Sequence, residues 1–547
     1  MKSTLLCFIH IFLCVYSTAQ TFNLKSSPEF KISRIQSIPN LIAVDESGIY
    51  TTSYRDKIIY MNYFTNQKIY TLTKYDLNFT ETYSYEFKDE SGKYRFEKFL
   101  HFKNRLYIIS YIYKQKEKSF TIYGAEINKS TGKLVNDFTE LLSVDADLKK
   151  SGFDIEANVA KDSSTIQVVV NIKDESTQQQ ISYCVIDEGL KLKYKGFLPP
   201  MERSDVYRIR EIHIDDNSVY LYASLYKFHN EKRRRANIFS HFLIEKFDTR
   251  GKKIFTINTD SKERHVLSQK TVVLNNKEIS VTGAYSKNQE SNEIVGLFLE
   301  KYDLETGQII STSKKDLDNG LIDQIRKRMI LTSSGVKDEK KEEGLPNYLS
   351  IQNIIVNPQT SKLLVIGELL SRYVTTGPQF SIVTYTAGDL FIIEEVDQNG
   401  LSVTTLPKKQ IQKYQFNGPI VEFAQSTEDI NYELNNKNSL DFYISYTHFI
   451  YKGNLILFLN DHPGNTNIKA ATEKINEAAD IRASNFNVLT YDLTKHQFNR
   501  KNLKSNNEAP IPLINSGSLI RNEIIFLSRQ PRFLGKLEFN FIRITVN

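Results

Sequence analysis

The sequence predicts an all-β chain closed into an eight-bladed β-propeller. Three observations carry that expectation. A strand pattern recurs eight times. The aromatic residues are 33 Phe and 31 Tyr with no Trp, and Tyr, Phe and β-branched residues suit pleated strands. An unmatched strand near the start of the chain faces a missing strand at its end. Seven blades plus a small β domain is the alternative count.

The elements follow in chain order. Residues 1–19 read as a secretory signal: Lys2, an apolar run from Leu5 to Tyr16, and small residues before an expected cleavage after Ala19. The run is shorter than the roughly 20 residues that a membrane-spanning helix needs. Phe12 and Leu13 are bulky where a lipobox has small residues, so no lipid anchor is expected at Cys14. The mature chain is expected in the periplasm or outside the cell, and no later segment is long and apolar enough to span a membrane. Cys184 is then the only cysteine left, which excludes an intramolecular disulfide. Its apolar surroundings predict a buried small hydrophobe.

Residues 20–547 read as a single propeller domain. Its cleanest repeat runs from Lys277 to Lys315: KEISVTGAYS, VGLFLEKYD, a turn at Leu304-Glu305-Thr306-Gly307, then QIISTS, with a shorter strand, TVVLN at Thr271 to Asn275, before them. Four strands joined by hairpins make one blade. Second strands are expected to begin at Gly48, Arg105, Thr165, Ser218, Lys277, Lys362, Asn454 and Glu523. Each follows polar turn residues. Third strands are expected at IIYMNYF, FTIYGAEI, ISYCVID, HFLIEKFD, LFLEKYD, LFIIEEVD, NFNVLTYD and LEFNFIRITV, the first of them ending in a turn at Thr65-Asn66. The eighth set lacks a fourth strand, and TFNLKSSPEF near the N-terminus has no place in the first. Pairing the two would close the ring and remove an exposed edge. Helices are expected only at 321–331, with Leu321, Ile325 and Met329 on one face, and at 467–482, with Ile468, Ala471, Ile475 and Ala478 on one face.

Long insertions are expected at about 316–347, 408–436 and 461–484, with further loops at Phe228–Asn237, Ser286–Glu293 and Arg372–Gln379. In a propeller these connections share one face, and function gathers on loops held by a rigid scaffold. That face supplies the candidate binding residues Lys232, Arg233, Arg234, Arg235, Arg328, Tyr373, Lys408 and His462. Arginine clusters suit carboxylate, sulfate or phosphate groups. Arg326, Lys327 and Lys409 add to the same charge. The stretch Glu339-Lys340-Lys341-Glu342-Glu343 reads as a solvated loop.

Catalytic motifs are not found. The chain has no His-Glu-x-x-His, Gly-x-Ser-x-Gly or phosphate-binding glycine loop, so catalytic residues stay unassigned, and neither a metal nor a cofactor is expected. The Asp-rich turns lack calcium-loop spacing. A net charge of +7 over this length is mild and gives no reason to expect nucleic acid. The Tyr302-Asp303-x-x-Thr306-Gly307 turn resembles those of secreted bacterial β-propellers as a broad class, a resemblance that spans nearly the whole mature chain and carries no site residues. The leading expectation is an exported scaffold that presents its loop-rich face to a protein or polysaccharide at the cell envelope. A propeller glycoside hydrolase or lyase acting on an extracellular polymer is the alternative. An assembly subunit that docks a partner on its helix faces is the third.

Overall fold

The computed structural model describes residues 21–547 apart from several segments, the longest being 331–343, 419–429 and 435–442. The leader at 1–19, Lys232 and Arg233, and the stretch at 339–343 lie outside the described residues.

Eight antiparallel sheets of four or more strands follow one another along the chain. Sheets 1 to 7 occupy residues 40–87, 95–145, 152–197, 207–258, 265–316, 349–406 and 447–505. Sheet 8 is built from Ile511–Pro512 and Ser518–Ile520, then Glu523–Gln530, Leu537–Val546 and finally Phe22–Ser26 from the start of the chain. Eight apolar clusters join each sheet to the next, and one of them joins sheet 8 back to sheet 1 through Ile525, Leu527 and Phe541 against Val44, Ile49 and Tyr75. First strands of neighbouring sheets touch between sheets 1 and 2, 2 and 3, 5 and 6, and 8 and 1, which places these strands toward the axis. This is a β-propeller, and the expected closure by the N-terminal strand is present.

The continuous apolar runs of the second strands have a direct cause. Along Asn454–Asp461, Leu455, Leu457 and Leu459 pack toward sheet 6, while Ile456 and Phe458 pack toward sheet 8. Side chains alternate between the faces of a strand, and here both faces are core. Burial of each such side chain contributes about 1.5–3 kcal/mol.

The turns between third and fourth strands join the sheets a second way. In the turn after Gly296–Asp303, Asp303 Oδ1 accepts from the backbone N–H of Glu305 and Thr306, and Gly307 takes a φ of 71° that suits glycine. The residue after the leading Asn or Asp then turns its carbonyl toward the preceding sheet. Tyr50 donates to the Lys129 carbonyl (3.5 Å), Tyr107 to Glu188 (2.6 Å), Tyr183 to Thr249 (3.1 Å) and Lys246 to Leu304 (2.7 Å).

Several expectations are corrected. In sheet 1 the second strand ends at Ile59 and the third is Tyr63–Tyr75, so IIYMNYF spans parts of both and Thr65-Asn66 lies inside the third strand. Phe228–Asn237 and Arg372–Gln379 are not loops. They belong to long two-stranded arms, Ser218–Glu231 with Arg234–Asp248 and Leu363–Thr376 with Phe380–Asp397. The insertion after Pro407 begins with another strand, Gln410–Asn417, that pairs with the outer half of the second arm. Helix α1 spans Asn319–Ile330 as expected. Residues 473–482 are not helical. Ile475 and Ala478 are buried there, and Ala478 bridges to Gln410 through backbone hydrogen bonds that a helix would have consumed. Among the described residues no helix is long and apolar enough to cross a membrane.

Candidate functional site in the ring channel and on the arms

The first strands place polar residues at one level around the axis. Asn40, Lys98, Glu156, Glu211, Thr271, Asn353 and Thr447 face Thr52, Ile109, Val169, Tyr222, Val281, Ile366 and Phe458. Each of these partners lies four residues after the second-strand start expected from sequence. In sheets 2, 4 and 6 the polar residue directly follows a β-bulge, at Glu97, Arg210 and Gln352. A bulge inserts a residue and re-aims the side chains beyond it.

The two sides of this layer differ. Sheets 2 to 5 form a charged arc. Lys98 Nζ donates to Asn158 Oδ1 at 3.0 Å, Lys270 pairs with Glu211 at 3.1 Å, and Lys173 pairs with Asp154. Glu97, Lys98 and Glu156 are exposed, yet neighbouring protein partly desolvates them. Partial desolvation raises the carboxyl pKa of Glu97 and of Glu156 and lowers that of the Lys98 ammonium. The Asp154 and Glu211 carboxylates add to the upward shift of Glu156. Between sheets 4 and 5, Glu211 and His213 line a cavity of about 20 Å³, room for about one water. Sheets 6 to 8 form a neutral arc, where Asn353, Thr447, His448 and Asn515 line a cavity of about 290 Å³.

The residues singled out from sequence fall in three places. Arg234 and Arg235 begin the outer strand of the sheet 4 arm, opposite Glu231 and Asn230. Tyr373 lies on the sheet 6 arm and is 64% exposed, with Phe380 42% exposed across its tip. Lys408, Arg328 and His462 are instead part of the framework. Lys408 is 2% exposed and its ammonium is held by Glu368 and by Gln410 Oε1 at 2.8 Å. Glu368 also accepts from Gln352 and Ser445. Arg328 reaches from α1 to the buried Asp389, which also accepts the Lys408 backbone N–H. Arg500 pairs with Asp461 at 2.5 Å and donates to the Pro407 carbonyl. With every carboxylate of this network engaged, it clamps α1 and the insertions onto sheets 6 and 7. Burial of such a pair is viable only when its hydrogen bonds are satisfied. Lys409, expected on the open face, is buried beside Glu477 at 3.3 Å. His462 caps the short 3-10 turn Pro463–Asn465, its Nδ1 accepting from the Gly464 N–H.

Sequence reasoning passed over the layer and the network. The layer had a usable signal, since counting a constant step from each second-strand start and back across the hairpin finds it. The network, formed from residues as distant as Arg328 and Asp389 or Asp461 and Arg500, left none. Cys184 is buried as expected, and desolvation pushes its thiol up to about 12.

No family model matches the chain and no curated protein matches it. Solved structures align with much of its length. The WD40 domain of SCAP from fission yeast is 10% identical, with 95% of this chain and 98% of that one covered at a TM-score of 0.34. The β-propeller domain of the Trilobed protease from Pyrococcus furiosus is 8% identical, with 87% and 100% covered at 0.31. Penicillium chrysogenum α-L-arabinanase, complexed with arabinobiose, is 10% identical, with 71% and 98% covered at 0.27.

Proposed function

We propose that this chain is an exported binding propeller that presents one face to a protein or polysaccharide partner at the cell envelope. The observation that supports this is the pair of arms on sheets 4 and 6. They extend past the interfaces between sheets, with Arg234 and Arg235 in the backbone at the end of one arm and the exposed Tyr373 and Phe380 on the other. Aromatic residues and arginine are enriched where protein surfaces meet. The test compares wild type with a Tyr373→Ser, Phe380→Ser double variant, in pull-downs from envelope extract and in affinity electrophoresis through envelope polysaccharide. Loss of one specific retention in the variant is expected. Equal retention of everything by both proteins counts against the reading. Removal of residues 1–19 is checked by the mass of the exported protein.

One observation favours an enzyme, a glycoside hydrolase or lyase. Glu97 and Glu156 stand on adjacent sheets with raised carboxyl pKa values, a property that a general acid requires. Turnover of an extracellular polysaccharide that is abolished by Glu156→Gln would select this reading over simple binding.

A further inference from the structure

The geometry points to a second ligand site inside the ring, a cavity for an uncharged, hydroxyl-rich molecule the size of one sugar ring. It stands whatever the outer arms bind. The cavity of about 290 Å³ lies between the first strands of sheets 6 and 7 and the entry to sheet 8. At about 30 Å³ per water of liquid volume it holds on the order of ten waters, enough for a single ring and near the lower end for small-molecule pockets.

The hydrogen-bond inventory sets the ligand class. Asn353 gives its Nδ2 to the Tyr446 hydroxyl at 2.9 Å, and Asn515 gives its Nδ2 to the Leu434 carbonyl. Neither side-chain oxygen has a partner among the described residues. The Thr447 hydroxyl donates to the Ile514 carbonyl, which leaves its lone pairs open. The wall is therefore rich in acceptors and suits a ligand rich in O–H donors. His448 makes no hydrogen bond among the described residues, and its ring centroid lies 6.1 Å from that of Tyr446. Burial lowers its pKa, so the imidazole is neutral near pH 7, with one donor and one acceptor. Phe449, half-buried beside them, offers an apolar face to the C–H side of a ring.

Charge narrows the class further. Among the described residues no Asp, Glu, Lys or Arg lines the cavity. The nearest buried carboxylate, Glu368, is neutralised by Lys408. A cationic or anionic ligand would lose hydration without gaining a counter-charge, whereas a neutral polyol exchanges water for fixed acceptors.

The test uses the mature chain from residue 20 and named probes: glucose, galactose, mannose, arabinose and myo-inositol, against glucuronate and glucosamine as charged counterparts. Binding is followed by calorimetry and by the His448 ring proton resonance, which His448→Phe identifies. At least one neutral probe should titrate that resonance saturably, and His448→Phe and Asn353→Ala should each weaken binding about tenfold, as removal of one hydrogen bond to a bound ligand does. Thermal unfolding of each variant checks its fold, and His448→Phe keeps the ring shape should Asn353→Ala perturb Tyr446. The proposal is overturned if no neutral probe shifts the resonance at up to about 50 mM, well above the millimolar range of weak sites. Preference for a charged probe, or binding that both variants leave unchanged, overturns it equally.

Discussion

At the scale of single residues, two kinds of polar contact divide the work. Tyr107 spans an interface by one bond to the Glu188 carbonyl at 2.6 Å. Tyr107→Phe keeps the packing and loses that bond, so urea unfolding should register a loss of about 1 kcal/mol. Lys408 is different, because its removal strands a buried Glu368. Lys408→Ala should cost about 3–5 kcal/mol, while Lys408→Met combined with Glu368→Leu should cost much less, because no lone charge is left inside. A double-mutant cycle in urea decides this, and equal losses in both proteins would refute it. Acid acts on the turns. The hydroxyl and backbone N–H of Thr494 hold Asp492 down to about 2. A depressed carboxyl pKa contributes stability that is fully present above the unfolded value near 3.9 and is lost as pH falls through the folded one. Unfolding measured from pH 6 to pH 2 should therefore show a loss confined to the range below about 4, and Asp492→Asn should flatten it.

At the scale of elements, stability belongs to the part of each hairpin that lies between sheets. Among the described residues the cluster shared by sheets 4 and 5 reaches outward as far as Phe239, and the backbone ladder of the arm continues to the Glu231–Arg234 pair. Replacing residues 228–237 by a tight turn should shift the thermal midpoint by no more than about 2 °C. Leu457→Ala, in the core between sheets 6 and 7, should cost about 2–5 kcal/mol. The same division explains what was legible. Second-strand starts fall within one residue of the sequence expectation, because burial on both faces writes an unbroken apolar run such as LILFL. The arms were missed because, beyond the ring, their strands alternate without a long apolar stretch and look like loops. The 467–482 segment carries apolar residues at helical spacing, yet Ile475 and Ala478 are buried by an extended chain stitched to Gln410. Tertiary hydrogen bonds override a weak local preference. The bulges at Glu97, Arg210 and Gln352 left no mark in composition, and with them the polar layer stayed hidden until register was known.

At the scale of the whole molecule, the ring rests on one closure. Phe22–Ser26 and Phe30–Ile32 both pair with Leu537–Val546, and Ser27 bridges the break between them by bonds to Phe541. Phe22 and Leu24 pack into the cluster between sheets 7 and 8, and Phe30 into the cluster between sheets 8 and 1. The closing strand thus serves two interfaces at once. Deleting residues 21–33 removes four half-buried apolar side chains, Phe22, Leu24, Phe30 and Ile32, about 4 kcal/mol of apolar burial at half the usual value for each, together with a ladder of backbone hydrogen bonds. It also bares the edge of Leu537–Val546, and an unpaired edge is a template for another chain. The truncated protein should unfold earlier and less cooperatively, lose amide protection first at residues 537–546, and elute partly as a dimer. A synthetic peptide of residues 21–33 added in trans should restore both the midpoint and the monomer, because only the covalent link was cut. If truncation changes neither exchange nor midpoint, closure contributes nothing to stability and the apolar interfaces alone hold the ring. If truncation destabilises and the peptide fails to rescue, the segment acts during folding rather than in the finished ring.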